Sequence, residues 1–222
     1  MAVIHRTFVK PTKLELLNFW LPNRPWYRGG GGEPELTKAG GFRLDDPEGE
    51  VGIEFLVVTD ASAAHPVTYL VPLTYRGAPL DGAEHALVGT MEHGVLGRRW
   101  AYDACHDPVM VAQLAALLEG RAQAQAQSTS DTLDREITVS FTGGDPVPTD
   151  FTATDDEEGT ALTTPHGPTL RLHRVLNPTP NTPDTPLTAP PGSTAHVTGP
   201  WQQPDGTRTR SLFATLHSTV RP

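Results

Sequence analysis

The chain is organised around residues 16–32, which read Leu16-Leu-Asn-Phe-Trp-Leu-Pro-Asn-Arg-Pro-Trp-Tyr-Arg-Gly-Gly-Gly-Gly32. Two of the four tryptophans, Trp20 and Trp26, lie in this stretch, with Pro22 and Pro25 between them. Proline fixes the backbone, aromatic rings offer large apolar surfaces, and the glycines that follow allow a pliable loop. The stretch therefore predicts a packing corner at which a short helix passes into a sheet.

The residues before this corner predict the helix itself. Thr12 and Glu15 have the spacing of a capping box, so we expect a helix that begins at Lys13 and ends before Pro22. Apolar and β-branched residues near the start of the chain favour a short strand at Ala2–Val9.

Alternating apolar residues after the glycines predict a series of strands. The first three are Glu35–Leu44, Val51–Asp60 and Val67–Arg76. Ile53, Phe55 and Val57 alternate with other residues, which indicates one buried face. Two similar segments at 83–89 and 91–97 then predict a pair of short strands that turn near Gly89.

The clearest single element is a long helix from Asp107 to about Gln127. Asp107 is a favoured N-cap residue, Pro108 suits the first helical position, and apolar residues recur at helical spacing up to Leu118. The Ala-Gln run at 122–127 is helix-forming but polar. We therefore expect the end of this helix to project into solvent.

A low-complexity linker at 122–131 is predicted to divide the chain into a first domain, residues 1–127, and a β-rich second domain, residues 132–222. The second domain is expected to contain strands at Arg135–Thr142, Thr149–Thr154, Thr160–Thr164, Thr169–Leu176, Thr194–Trp201 and Thr207–His217. Asn177–Pro191, with six prolines, is expected to be an extended connection.

Composition excludes several classes of partner. The formal charge of −9 argues against nucleic acid or an anionic membrane surface. The single cysteine, Cys105, cannot form an internal disulfide. No run approaches the ~20 apolar residues that a membrane-spanning helix needs. These features predict a cytoplasmic protein with no membrane partner.

The aromatic corner resembles the amino-terminal cap domain of actinobacterial maltokinases and related sugar kinases. The resemblance rests on Leu21-Pro-x-x-x-Trp26-Tyr27 followed by glycines, and on the stretch Arg98–Asp103 with its Tyr-Asp ending. It implies an α+β fold in which a curved antiparallel sheet packs on one long helix, the cystatin-like arrangement of those caps, followed by a second β-rich portion. The resemblance covers roughly residues 10–127 and, more weakly, the first strands of a kinase small lobe.

The catalytic motifs of such kinases do not occur in this sequence. The family uses a His-Gly-Asp-type loop and a later metal-binding Asp, whereas this sequence has no His-x-Asp triplet. Asp150 has no partner loop before it, and Arg171 occupies the place of the nucleotide-binding lysine, for which Arg is a poor substitute. We therefore expect a kinase cap without its kinase lobe, with no catalytic residue and no cofactor.

Three other clusters of reactive side chains favour structural roles. Cys105-His106-Asp107 could place a base beside a thiol, but neighbours in sequence rarely face one another. His85 and His93 could bind a metal only if two short strands paired in register. The acidic residues 155–158 lack the spacing of a calcium loop and fit a solvated turn. We therefore predict no metal site.

The resemblance implies a non-catalytic cap-like protein that binds or regulates a kinase or another enzyme of trehalose, maltose or α-glucan metabolism. Two alternatives stay open. One is an enzyme or enzyme subunit of α-glucan metabolism, with a branching-type activity or as half of a split sugar kinase, and the other is a small sugar-binding module. The ligand or partner surface is predicted from aromatic and basic residues of the two cap-like stretches: Trp20, Trp26, Tyr27, Arg28, Arg98, Arg99, Trp100 and Tyr102.

Overall fold

The computed structural model describes residues 7–179 and 190–218, and one antiparallel sheet dominates this part of the chain. The α-helices described are α1 at Lys13–Trp20 and α2 at Pro108–Leu118. The strands, in chain order, are β1 Val9–Lys10, β2 Leu36–Leu44, β3 Gly52–Asp60, β4 Val67–Arg76, β5 Leu87–His93, β6 Gly97–Asp103, β7 Gln125–Ala126, β8 Thr138–Phe141, β9 Thr152–Asp156, β10 Gly159–Thr163, β11 Thr169–His173, β12 Val175–Leu176, β13 Ser193–Gln202 and β14 Arg208–His217. Short 3₁₀ turns lie at Leu21–Asn23, Glu84–Ala86 and Ala104–His106.

Hydrogen bonds join the strands in the order β1-β5-β6-β4-β3-β2-β13-β14-β11-β10-β9. β12 lies beside β4, β7 beside β2, and β8 beside β13. All of these neighbours run antiparallel. The coarse prediction of a large antiparallel sheet with helices is therefore confirmed, and the molecule is richer in strand than in helix.

α1 forms where the capping box indicated. The Thr12 side chain accepts a hydrogen bond from Glu15 N at 3.2 Å, and the Glu15 carboxylate accepts one from Thr12 N at 2.6 Å. These two bonds satisfy backbone and side-chain groups of the first turn. The helix ends at Trp20, where the 3₁₀ turn that contains Pro22 begins.

The prediction of one long helix is wrong. α2 starts as expected, because Asp107 Oδ1 accepts a hydrogen bond from Val109 N at 3.0 Å and Pro108 opens the first turn. It ends at Leu118, after only 11 residues.

Two features beyond Leu118 explain the early end of α2. Gly120 has φ +73°, the left-handed conformation in which helices commonly stop. Gln125 and Ala126 then pair with Arg43 and Phe42 of β2. Pairing with the sheet outweighs the helix propensity of the Ala-Gln run, so that run forms β7 instead of a solvent-exposed helix end.

The β5–β6 hairpin turns at a different place from the predicted one. His93 pairs with Gly97, so the chain reverses between these residues and not near Gly89. Gly89 lies inside β5, where an added Cβ atom would stand 2.6 Å from Leu16 Cδ2 of α1. This glycine therefore permits the close approach of the helix to the strand.

The central strands bury both of their faces. Ile53, Phe55 and Val57 of β3 belong to a core built around α2, whereas Leu56 and Val58 belong to a second core beneath α1. The alternation in the sequence therefore identified one of two buried faces. We call the side of the sheet that carries Leu56 and Val58 the α1 face.

The C-terminal half contains the expected strands, with changes at their ends. β13 and β14 form the closing hairpin, in which Gln202 pairs with Arg208 across the turn. Parts of the predicted strand Ala2–Val9 and of the predicted connection Asn177–Pro191 lie outside the described residues. Within residues 7–179 and 190–218, no helix is long and apolar enough to cross a bilayer.

Candidate functional site

The aromatic corner forms a closed cluster at one end of the α1 face. Trp26 is fully buried, and its ring centroid lies 5.8 Å from that of Trp20 and 5.9 Å from that of Tyr69 on β4. Tyr27 stacks on Tyr69 with centroids 5.7 Å apart. Tilted and stacked pairs at such distances are favoured for aromatic rings. The corner packs the end of α1 against β4.

Asp60 holds the polar edge of this corner. The Tyr27 hydroxyl donates to Asp60 Oδ2 at 2.7 Å, and the backbone N–H groups of Glu35 and Ser62 donate to Oδ1 at 3.0 and 2.9 Å. Burial and the hydrogen bond to Asp60 raise the pKa of Tyr27 to about 12. Burial opposes ionisation of Asp60, but its donors outweigh burial and lower its pKa. The next side chain, Arg28, is exposed.

An arginine from the C-terminal half fills the inner side of the corner. Arg174 is fully buried, and its Nη2 donates to both carboxylate oxygens of Asp103 at 2.7 Å. Its Nε donates to Thr160 Oγ1 at 2.7 Å, and its guanidinium carbon lies 5.0 Å from the centroid of the Trp26 ring. The side chain of Trp26 is thus enclosed within the chain and has no exposed surface for a ligand.

The other predicted residues, on β6, lie in a separate cluster. Arg98 is exposed and pairs with Glu92 at 2.9 Å. Tyr102 is buried in a small apolar cluster with Ala83 and Ala86, and the half-buried Trp100 packs against this cluster. The Tyr102 hydroxyl accepts a hydrogen bond from Leu80 N at 2.9 Å. The structure therefore distributes the predicted surface residues over at least two places instead of one surface.

A cavity of about 430 Å³ opens at the other end of the α1 face, beside the start of α1. Glu54, Tyr75, Met91 and Arg99 line it from β3, β4, β5 and β6, and Lys13 lines it from the first turn of α1. Met91 and Arg99 pair across β5 and β6, so their side chains lie on the same side of the sheet. The helix α1 and the strands β3 to β6 thus contribute side chains to one concave surface.

Glu54 forms the centre of the polar floor of this cavity. Its Oε2 accepts hydrogen bonds from Lys13 Nζ and the Tyr75 hydroxyl, each at 2.6 Å, and its Oε1 accepts one from Gln127 Nε2 at 3.0 Å. Burial opposes ionisation of Glu54, but the Lys13 charge and these donors outweigh it, so the pKa is lowered. Burial and the neighbouring carboxylate raise the pKa of Tyr75 well above its ordinary value.

These directions favour an ionised Glu54 and a neutral Tyr75 near neutral pH. A general base works best with a pKa close to the working pH, which is not the state of either group. The sequence did not identify this network, although a charged residue within the apolar run of β3 was a visible signal.

Two arginines at the cavity have donors without acceptors among the described residues. Arg99 Nε is buried and has no hydrogen-bond partner there. Arg43 Nε donates to Ala126 O at 3.2 Å, but its buried Nη2 has no partner in the same part of the chain. A buried donor without an acceptor costs about 1–3 kcal/mol. The cavity therefore has hydrogen-bonding capacity that the described residues do not use.

Cys105 lies away from this cavity, beneath Arg174. Its side chain is buried, and Arg174 Nη2 lies 3.2 Å from Cys105 Sγ. Burial raises the pKa of the thiol, which disfavours the nucleophilic thiolate. Asp107 serves as the N-cap of α2 and pairs with Arg76 Nε at 2.7 Å. The Cys105-His106-Asp107 triplet is thus part of the packing around α2.

The histidines of the two short segments do not approach each other in register. His93 pairs with Gly97 in the hairpin, whereas His85 lies in a 3₁₀ turn and contacts His106. The distance from His85 Nε2 to His106 Nδ1 is 3.1 Å. Among the described residues, no group of three or more His, Cys, Asp or Glu side chains is arranged to hold a metal ion.

Residues 20–107 match the family model for the maltokinase N-terminal cap domain. The matched segment covers about two fifths of the chain and runs from the end of α1 to the residue before α2. It contains the aromatic corner, the central strands and the β5–β6 hairpin. The resemblance indicated by Trp26, Tyr27 and the glycines is thereby confirmed, and this region is similar to that cap domain. No curated protein matches the chain.

Proposed function

We propose that the chain is a non-catalytic cap-like protein that binds and regulates an enzyme of trehalose, maltose or α-glucan metabolism. The match of residues 20–107 to the maltokinase N-terminal cap domain carries this proposal. Since that domain is named for maltokinase, a maltokinase or an enzyme that works beside it is the partner we expect. The proposal includes a cytoplasmic location, in keeping with the free thiol of Cys105.

An apolar surface at the tip of the β5–β6 hairpin supports a partner contact. We define the hairpin tip as Phe8, Val95 and Leu96, whose exposed fractions are 65%, 60% and 46%. Phe8 belongs to this surface because its carbonyl oxygen accepts a hydrogen bond from Gly94 N at 3.0 Å. Adjacent apolar side chains in solvent are typical of interaction sites, whereas isolated ones are not.

The groups that resemble kinase or nucleophile motifs have structural contacts. Arg171, at the place of the nucleotide-binding lysine, forms an ion pair with Asp156 of β9, two strands away in the sheet. Cys105 is buried beside Arg174. These contacts support a binding role for the chain, with the chemistry supplied by the partner.

Binding to a purified maltokinase tests the proposal. Biolayer interferometry would measure the affinity, and the rate of ATP-dependent sugar phosphorylation would be compared with and without the chain. We expect a dissociation constant of about 1 µM, typical of regulatory contacts of modest area, and a changed phosphorylation rate.

Two exposed apolar positions provide matched variants. Val95→Glu places a charge in the hairpin tip and should weaken binding about tenfold or more. Phe19, on α1, is 78% exposed and lies outside the tip, so Phe19→Glu should bind like the wild type. Equal losses in both variants would indicate a general charge effect. No binding to the maltokinase or to a purified α-glucan branching enzyme would contradict the proposal.

A further inference from the structure

The cavity beside Glu54 has features of a small-molecule site that partner binding at the hairpin tip does not explain. It is concave, measures about 430 Å³ and combines apolar and charged side chains. Volumes of this size are typical of sites for small organic molecules. Arg99 contributes a buried Nε that has no acceptor among the described residues.

We propose that this cavity binds a small organic anion, a phosphate monoester or a carboxylate, whose charged group accepts hydrogen bonds from Arg99. Guanidinium groups bind such oxyanions through charge-assisted hydrogen bonds of defined geometry. Arg43, which lines the same cavity and also has a buried donor without a partner in the described chain, adds positive charge.

The carboxylates near the cavity do not neutralise Arg99. Glu54 is paired with Lys13 at 2.6 Å. Asp46 accepts hydrogen bonds from three backbone N–H groups of its own loop, at 3.1, 3.0 and 2.9 Å. Glu50 lies at the cavity and is exposed. Arg99 therefore forms no ion pair with these carboxylates, while the cavity as a whole is balanced, with Lys13, Arg43 and Arg99 against Asp46, Glu50 and Glu54.

Half of the twelve arginines of the described residues form ion pairs, and Arg99 is not one of them. Six of them lie within 4.0 Å of a carboxylate: Arg76, Arg98, Arg121, Arg171, Arg174 and Arg208. Arg99 is half-buried and forms no such pair with the described chain. Its guanidinium instead lies beside backbone, since a Cβ atom added to Gly77 would be 2.7 Å from Arg99 Nη1.

The walls of the cavity indicate what the rest of the ligand is like. Val9, Met91 and Leu96 contribute apolar surface. A ligand that has only charged and hydroxyl groups would leave this surface unmatched. We therefore expect an anionic group attached to a small, partly apolar body, and we expect inorganic phosphate to bind more weakly than its organic ester.

The methionines allow a test on the unaltered protein. Met91 lines the cavity, whereas Met110 is fully buried in the core around α2. In protein labelled with ¹³C-methyl methionine, the Met91 signal should shift saturably with phenyl phosphate or benzoate, while the Met110 signal stays in place. We expect dissociation constants of about 10 mM or tighter. Benzamide, which is uncharged and of similar shape, should give little shift.

Variants of Arg99 test whether this residue binds the anionic group of the ligand. Arg99→Met should weaken binding of the preferred anion about tenfold or more, because it removes the charge-assisted hydrogen bonds and keeps an apolar stem. Arg121→Met is the control, since Arg121 is exposed and does not line the cavity. It should bind like the wild type. Arg99→Lys should retain part of the affinity.

The outcomes separate the two anion classes and the two proposals. Tighter binding of phenyl phosphate identifies a phosphate monoester site, and tighter binding of benzoate identifies a carboxylate site. No saturable Met91 shift with either anion, equal shifts with benzamide, or unchanged affinity in Arg99→Met would overturn the inference. Leu96 belongs both to the hairpin tip and to the cavity wall, but Val95, the position changed to test partner binding, does not line the cavity, so the two proposals are tested by different variants.

Discussion

Arg174 and Arg99 lie at opposite ends of the α1 face, in opposite settings. At the closed end, Arg174 is fully buried, and Asp103, Thr160 and the Trp26 ring surround its guanidinium. At the open end, Arg99 is half-buried beside a cavity and has no carboxylate partner among the described residues. The same strands, β4 and β6, run past both ends.

The difference shows how one sheet face can serve stability at one end and binding at the other. Burial of a charge is tolerated where a partner compensates for its lost hydration, as at Arg174. A charge that stays near solvent and lacks a protein partner, as at Arg99, contributes little to stability and remains available to a ligand. Substitutions at the two ends should therefore have very different effects.

The largest expected effect is that of Arg174→Met. Asp103 would remain buried without its cation, so the free energy of unfolding should fall by about 3–5 kcal/mol. Urea denaturation at pH 7, followed by tryptophan fluorescence, measures it. Arg171→Met, on β11 three residues before Arg174, is the matched control and should cost about 1 kcal/mol or less, since its pair with Asp156 is partly exposed. Equal decreases in the free energy of unfolding in the two variants would contradict the prediction that the buried ion pair contributes more to stability than the exposed one.

The pH dependence of stability should reflect His173, which is adjacent to Arg174. Burial, followed by the Arg171 and His217 charges, lowers the pKa of His173 to about 4. The unfolded chain, with a pKa of about 6.5, then binds more protons than the native protein between pH 6.5 and 4, so this contribution to stability falls as pH falls through that range. The loss amounts to about 2 kcal/mol at pH 5.

His173→Gln should remove this part of the pH dependence. The difference in unfolding free energy between pH 7 and pH 5 should shrink by about 2 kcal/mol in the variant. His65→Gln, at an exposed loop position, should leave the wild-type difference in place. A variant at His173 with the full wild-type pH dependence would show that the proton is taken up elsewhere.

At the open end, Lys13→Met should cost about 1 kcal/mol at pH 7. Lys13 stabilises the buried Glu54 carboxylate, but its side chain is 40% exposed, so solvent weakens the pair. Since the pKa of Glu54 is lowered in the native protein, the stabilisation exists above the unfolded value of 4.5 and is lost as pH falls through the folded value. Urea titrations at pH 7 and pH 3.5 measure this, and Lys10→Met, at an exposed position, should show no such change.

The smallest expected effect is that of Arg99→Met on stability. Because Arg99→Met breaks no ion pair of the described chain and removes a buried Nε that has no acceptor there, the unfolding free energy should stay unchanged or rise by about 1 kcal/mol. The same urea assay measures it beside Arg174→Met. A loss of several kcal/mol would mean that Arg99 is a structural residue, and the comparison between the two ends would fail.

The sequence predicted the local elements best. The capping box at Thr12 and Glu15, the N-cap at Asp107 and the central strands all depend on interactions within a few residues. The length of α2 could not be read in the same way, because the Ala-Gln run has good helix propensity and becomes strand only by pairing with Arg43 and Phe42. Pairing with a strand more than 80 positions away in the chain outweighed the helix propensity of this run.

The residues of the candidate site also depend on distant parts of the chain, which local sequence patterns do not reveal. Tryptophans and arginines of the cap-like stretches are prominent in the sequence, and Arg99 was among those predicted. Their exposure was not predictable, because it depends on which distant segment covers them. Arg174, which encloses Trp26, and Gln127, which donates to Glu54, are both remote in sequence from the groups that they contact.

The amino-acid sequence by itself determined the family resemblance, the helix starts and the strands, since these follow from spacing and short-range chemistry. Only the tertiary structure decided which arginine is enclosed and which one faces a cavity. The physical reason is that hydration and charge pairing depend on everything packed around a side chain, and most of those neighbours come from other parts of the chain.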